Sequence, residues 1–181
     1  MTGALLHDRE AFPSEDVQEA TRATIQAKEI PRRALPGLLP SGELAASRSS
    51  PKVLYIEDNA ENMLLVKRVM RMRPAIQLLE VGAGIPGLAL AREHVPDIVV
   101  LDLNLPDING DEVLRQLLAD PRTAAISVMI LSGDCRPEQI KRLLAAGARV
   151  YMTKPFELRK FLATVDDLLT FPPPIPFPSG L

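Results

Sequence analysis

Three apolar runs constrain this chain more than anything else in it: Lys52–Ile56, Asp97–Asp102 and Ser127–Leu131. They lack the polar alternation of a strand with one wet face, so each needs apolar cover on both sides. Segments at helical spacing supply that cover. Ala60–Met72 carries Met63, Leu64, Val66, Val69 and Met70, and Gly110–Ala119 carries Val113, Leu114, Leu117 and Leu118. The same alternation predicts strands over Ile76–Val81 and Ala148–Met152. It predicts helices over Gly87–His94 (Pro86 near the first turn), Pro137–Ala146 (closed by Gly147) and Glu157–Thr170. Five strands and five helices in strict turn, with right-handed crossovers, read as an open, doubly wound α/β domain over residues 51–170.

The flanks differ in character. Residues 1–50 hold the break-rich stretch Pro31–Ser50 and one segment, from Ser14 to about Ile30, that opens like a helix. They read as a flexible or partly helical extension. Residues 171–181 hold five prolines and no charge, and read as a loose, proline-rich tail with a polyproline II bias. With 21 basic and 23 acidic side chains, charge gives no case for direct nucleic-acid binding. The single cysteine, Cys135, excludes an intramolecular disulfide and a cysteine-rich zinc site. There is no apolar run of membrane-spanning length, and the first residues, with His7, Asp8 and Glu10, lack a secretory leader pattern. A cytoplasmic protein without a membrane partner is expected.

In a doubly wound sheet, function gathers at the carboxyl edge of the strands. Glu57, Asp58 and Asn59 follow the first strand, Asp102 closes the third, Ser132 and Gly133 follow the fourth, and Lys154 and Pro155 follow the fifth. Taken singly these residues have plain readings: Asp58 and Asn59 as helix caps, Asp102 as a turn residue before Leu105-Pro106-Asp107, Ser132-Gly133 as a turn. Taken together, three carboxylates in one pocket repel one another unless a hard cation joins them, and magnesium suits such oxygen ligands. Lys154 adds a point charge for phosphoryl oxygens, and Ser132 adds a hydroxyl donor. Asp102, ending the most buried strand, is best placed to become an aspartyl phosphate.

These motifs resemble the receiver domain of bacterial two-component response regulators. The resemblance spans residues 52–170 and rests on four segments. They are Leu54-Tyr55-Ile56-Glu57-Asp58-Asn59, Leu101-Asp102-Leu103-Asn104-Leu105-Pro106-Asp107-Ile108-Asn109-Gly110, Leu131-Ser132-Gly133, and Tyr151-Met152-Thr153-Lys154-Pro155-Phe156. It implies a (βα)5 flavodoxin-like fold with strand order 2-1-3-4-5. Asp102 is then the phosphoacceptor. Magnesium, with manganese as a substitute, is then bound directly by Asp58, Asp102 and the backbone carbonyl of Asn104, and by Glu57 mainly through a coordinated water. Ser132, Gly133 and Lys154 receive the phosphoryl group, and Ser132 and Tyr151 form the switch. Pro106, Gly110 and Pro155 shape the surrounding turns, while Asn104 and Asp134 tune the lifetime of the phosphate.

The wording of the first helix, Glu57–Met63, is similar to receivers attached to hybrid sensor histidine kinases. Glutamate at 57 in place of the commoner aspartate, and Gly133 in place of alanine, depart from the usual pattern. His7 and His94 are poor relay candidates, and no output domain is read after residue 170. The implied partners are a histidine kinase or a histidine phosphotransfer protein and an unidentified downstream protein. A phosphorylation-dependent homodimer is a further expectation, through Arg149, Arg159, Lys160, Asp166 and Asp167. The chain is not expected to be an enzyme beyond its own phosphorylation and dephosphorylation. The alternatives are an interaction module that keeps the fold without the chemistry, and a haloacid-type phosphatase. The latter wants an aspartate where Asn104 stands.

Overall fold

A computed structural model describes residues 50–171. The expectations for the segment Ser14–Ile30 and for the tail after Phe171 lie outside the described residues. Five strands form one parallel sheet in the order β2-β1-β3-β4-β5. These are β1 (Lys52–Ile56), β2 (Gln77–Val81), β3 (Ile98–Leu101), β4 (Ser127–Ser132) and β5 (Val150–Thr153). The helices are α1 (Ala60–Met70), α2 (Gly84–His94), α3 (Gly110–Ala119), α4 (Pro137–Ala145) and α5 (Leu158–Thr170). Among the described residues no helix is long and apolar enough to cross a membrane.

The apolar runs are buried on both faces, as their lack of alternation demands. Leu54, Ile56, Val99, Leu101, Val128 and Ile130 face α2, α3 and α4. Their neighbours Val53, Tyr55, Ile98, Val100, Met129 and Leu131 face α1 and α5. Successive strand residues point to opposite sides, so one short strand feeds two cores. Each buried aliphatic side chain contributes about 1.5–3 kcal/mol by leaving water.

Most element ends fall within one or two residues of the sequence expectation, where hydrogen-bond and pattern criteria differ anyway. The exception is α2, which starts at Gly84, three residues earlier than the periodicity indicates. Pro86 is tolerated there because the first turn of a helix leaves its N–H groups without intrahelical partners. Ala83 offers no side-chain cap. The cap comes from across the fold instead: Asp107 accepts hydrogen bonds from the N–H groups of Gly84 (2.8 Å) and Ile85 (2.7 Å). Gly82, Gly84 and Pro86, three breaker residues close together, would by themselves leave this corner loose; the β3–α3 loop pins it.

Candidate active site at the carboxyl edge of the sheet

The sheet register brings the candidate residues to one edge. Ile56 pairs with Leu101, Leu101 with Ile130, and Ser132 with Thr153. The ladder runs one step past these pairs. Glu57 N–H donates to the Val81 carbonyl, Asp102 N–H to Ile56, and Lys154 N–H to Ser132, at 2.8–3.0 Å. Glu57, Asp102 and Lys154 thus leave the sheet from fixed backbone positions. The Lys154–Pro155 peptide that follows is cis.

Carboxylate oxygens of Glu57, Asp58 and Asp102 lie within 4.8 Å of one another. Lys154 Nζ reaches Glu57 Oε2 at 2.5 Å and Asp102 Oδ2 at 2.9 Å. Three carboxylates against one ammonium leave a formal surplus of two negative charges, the complement of a divalent cation. Asp58 is exposed while Glu57 and Asp102 are buried, so the cluster opens to solvent on one side. There it borders a groove of about 410 Å³ formed with the loop Leu103–Asn109, which includes Pro106.

Burial pushes the Asp102 carboxyl above the usual aspartate range. Lys154 opposes this and Glu57 adds to it. Its other oxygen, Oδ1, accepts from the N–H groups of Leu103 (2.6 Å) and Asn104 (3.4 Å). Glu57 moves the other way. Burial raises its carboxyl, but hydrogen bonds from Asn62, Lys154 and Tyr55 outweigh burial and leave it below the usual range. Two neighbouring carboxylates whose surroundings drive their pKa values apart can take different roles in one site.

Gly110 secures the loop above Asp102. A Cβ at this position would strike the Asp102 carbonyl oxygen and come within 2.7 Å of Leu103 Cα. Only glycine lets α3 start so close to the end of β3.

Ser132 is fully buried, and its Oγ accepts from Asp134 N–H at 3.2 Å. Gly133 is exposed, with open space where a side chain would stand. Tyr151 is buried, and its hydroxyl donates to the Asp134 carbonyl at 2.6 Å. Ser132 and Tyr151 therefore grip the same residue of the β4–α4 loop, although neither is hydrogen-bonded to Asp102.

Asn59 proves to be a helix cap, accepting from Glu61 and Asn62 N–H, so its plain reading holds; Asp58 stays free of that task. Two residues that sequence reasoning passed over hold Glu57. Tyr55 donates to Oε2 at 2.7 Å and Asn62 to Oε1 at 3.0 Å. Tyr55 precedes Glu57 by two in a strand and so shares its face, a signal the pattern did contain. Of the charged residues expected on the α4–β5–α5 side, Asp166 is taken by Arg73 and Arg149 by the Phe171 carbonyl, while Arg159, Lys160 and Asp167 are exposed.

The comparisons with known proteins agree with this geometry. The polar-differentiation response regulator DivK of Brucella ovis is 29% identical over 117 residues, which are 65% of this chain and 94% of that one. The chemotaxis response regulator CheY4 of Vibrio cholerae shares the fold with a TM-score of 0.60 at 22% identity, over 65% of this chain and 98% of that one. So does the receiver domain of a sensor histidine kinase from Pseudomonas aeruginosa PAO1, whose structure has a magnesium ion coordinated in its active-site cleft. There the TM-score is 0.62 at 20% identity, over 67% of this chain and 99% of that one. The family model for the response regulator receiver domain matches residues 53–166, the span that contains the whole sheet edge and its acidic cluster. This chain belongs to the response regulator receiver domain family.

Proposed function

We propose that the chain accepts a phosphoryl group from a phosphohistidine donor onto Asp102 and signals through the surface that moves in response. The observation that carries this is the meeting of Glu57, Asp58 and Asp102 within 4.8 Å, with Lys154 Nζ shared between Glu57 and Asp102. In the transfer, a carboxylate oxygen of Asp102 forms the new P–O bond as the donor's P–N bond breaks. The bonding pair leaves on the imidazole.

The donor set fits magnesium, with manganese as a substitute, since it offers hard oxygen ligands and a surplus of two negative charges on an open side. Glu57, Asp58, Asp102 and the Asn104 carbonyl are the groups that would hold the ion. When bound, it neutralises charge on the phosphoryl oxygens.

The other roles belong to the chain itself. Lys154 leaves Glu57 for a phosphoryl oxygen. Ser132 gives up its bond to Asp134 N–H and donates to the phosphoryl group, and the Gly133 N–H, unhindered by any side chain, offers a second donor. Because Tyr151 holds the Asp134 carbonyl, a shift of the loop at Ser132 also moves Tyr151. Asn104, whose N–H donates to Asp102 Oδ1, and Asp134, held between Ser132 and Tyr151, set the lifetime of the phosphate. Pro106, Gly110 and Pro155 keep the loops in shape.

The donor is a histidine kinase or a histidine phosphotransfer protein in the cytoplasm. The output is contact with a downstream protein or with a second copy through Arg159, Lys160 and Asp167.

Beryllofluoride, an inert stand-in for the phosphoryl group, tests the reading. With magnesium it is expected to shift amide resonances at Asp102–Asn104, at Ser132–Asp134 and at Tyr151. An unchanged spectrum from the folded chain rejects it.

A further inference from the structure

The glutamate at position 57 raises a physical question, because a shorter aspartate would present the same charge. The answer lies beneath it. Tyr55 is fully buried on the same face of β1, and a buried phenol needs a hydrogen-bond partner. Glu57 Oε2 is that partner, at 2.7 Å. An aspartate side chain is shorter by one C–C bond, about 1.5 Å, and would leave the hydroxyl stranded.

The three donors on Glu57 are not alike. Lys154 is the one group of the three that the proposed transfer takes away, since a phosphoryl oxygen competes for its Nζ. Asn62 sits in the first turn of α1, half-buried, and holds Oε1. Among the described residues Tyr55 alone shares Oε2 with Lys154, and its ring is locked in the core between α1 and α5. When Lys154 departs, a buried carboxylate oxygen without Tyr55 would lose its only remaining donor and swing toward solvent.

We infer that Tyr55 is a positioning residue for the metal-binding step: its buried hydroxyl fixes Glu57 Oε2 independently of Lys154, and Glu57 carries its extra methylene in order to reach that hydroxyl. The inference rests on the receiver reading of the site. It makes Tyr55 and Glu57 a matched pair, so that altering either one undoes the same arrangement.

The test is a double-mutant cycle on the full chain with Tyr55→Phe, Glu57→Asp and the two combined, read by calorimetric titration with magnesium chloride alone. Loss of an outer partner of a metal ligand typically weakens binding at least about tenfold. Each single variant is therefore expected to lose about tenfold in magnesium affinity, and the double variant no more than either single. A structural role alone lowers the melting temperature of Tyr55→Phe but leaves its magnesium affinity at the wild-type value, and that result overturns the inference. So do additive losses in the double variant.

A second measurement needs no variant. The chain has two tyrosines. In wild-type protein labelled at the tyrosine ring, the Tyr55 hydroxyl proton is expected to exchange slowly and to stay protected when magnesium and then beryllofluoride are added. Loss of that protection on adding either one also overturns the inference. If the wild type binds no magnesium at all, the receiver reading fails and the inference falls with it; if the wild type binds and the variants match it, only the inference fails.

Discussion

Replacing Lys154 with methionine keeps the aliphatic stem and removes the one ammonium that bridges Glu57 and Asp102. Both carboxylates are then left buried and facing each other, with side-chain exposures of 1% and 8%. Removing one partner of a fully buried ion pair costs about 3–5 kcal/mol. The lysine side chain is 17% exposed and the site opens at Asp58, so solvent screening brings the cost down to about 2–3 kcal/mol. A domain of about 120 residues gains roughly 0.25 kcal/mol/K of entropy on unfolding, so Lys154→Met should lower Tm by about 8–12 °C in metal-free buffer.

Magnesium should then narrow the gap. At about 100 times its Kd a ligand adds roughly 2.7 kcal/mol to the wild type. It should add more to the variant, in which no ammonium competes for the carboxylates. Scanning calorimetry of both proteins, with a chelator and with saturating magnesium, measures both quantities. A metal-free difference below about 2 °C would refute the assignment of Lys154 as the counter-charge of this cluster, given the 8–12 °C derived above. An equal difference with and without magnesium would refute the idea that metal and lysine serve the same carboxylates.

Asp107→Ala should unpin α2: amide exchange at Gly84 and Ile85 is expected to accelerate while α3 and α4 keep their protection, and unchanged exchange at those two amides would contradict the remote cap. The site should also leave a signature in the pH dependence of stability. Burial raises the Asp102 carboxyl above its unfolded value, so the neutral form is favoured in the fold. Its contribution is fully present below the unfolded value of about 3.9 and is lost as pH rises through the folded value. Glu57, held below its unfolded value, works in the opposite sense, contributing above about 4.3 and losing that contribution as pH falls through its folded value. Asp102→Asn should therefore be more stable than the wild type at neutral pH, and urea unfolding should show the advantage shrinking as the pH falls through the Asp102 range. A constant advantage from pH 7 to pH 4 would contradict the raised carboxyl.

The sheet was legible because three of its strands, β1, β3 and β4, are short and apolar on both faces, the pattern of a doubly covered sheet. The core of the site was legible because the sheet register converts four distant strand ends into one edge. Glu57, Asp58, Asp102 and Lys154 needed only that geometry to meet. The parts that escaped depend on side chains reaching across the fold. The true start of α2 is fixed by Asp107, 23 residues downstream of Gly84, and no window of local periodicity contains it. Asn62 looks like an ordinary first-turn residue until its amide is seen on Glu57. Tyr55 reads as one more apolar strand position: the alternation puts it on the face of Glu57, but does not show that its hydroxyl takes that carboxylate as a partner.

The central claim is that Asp102 accepts a phosphoryl group. Intact-mass spectrometry after incubation with acetyl phosphate and magnesium tests it most directly. The account predicts a single added phosphoryl group, mapped to Asp102, lost with chelator and absent in Asp102→Asn. A folded wild-type chain that stays unmodified, or an Asp102→Asn chain modified to the same extent, would contradict it.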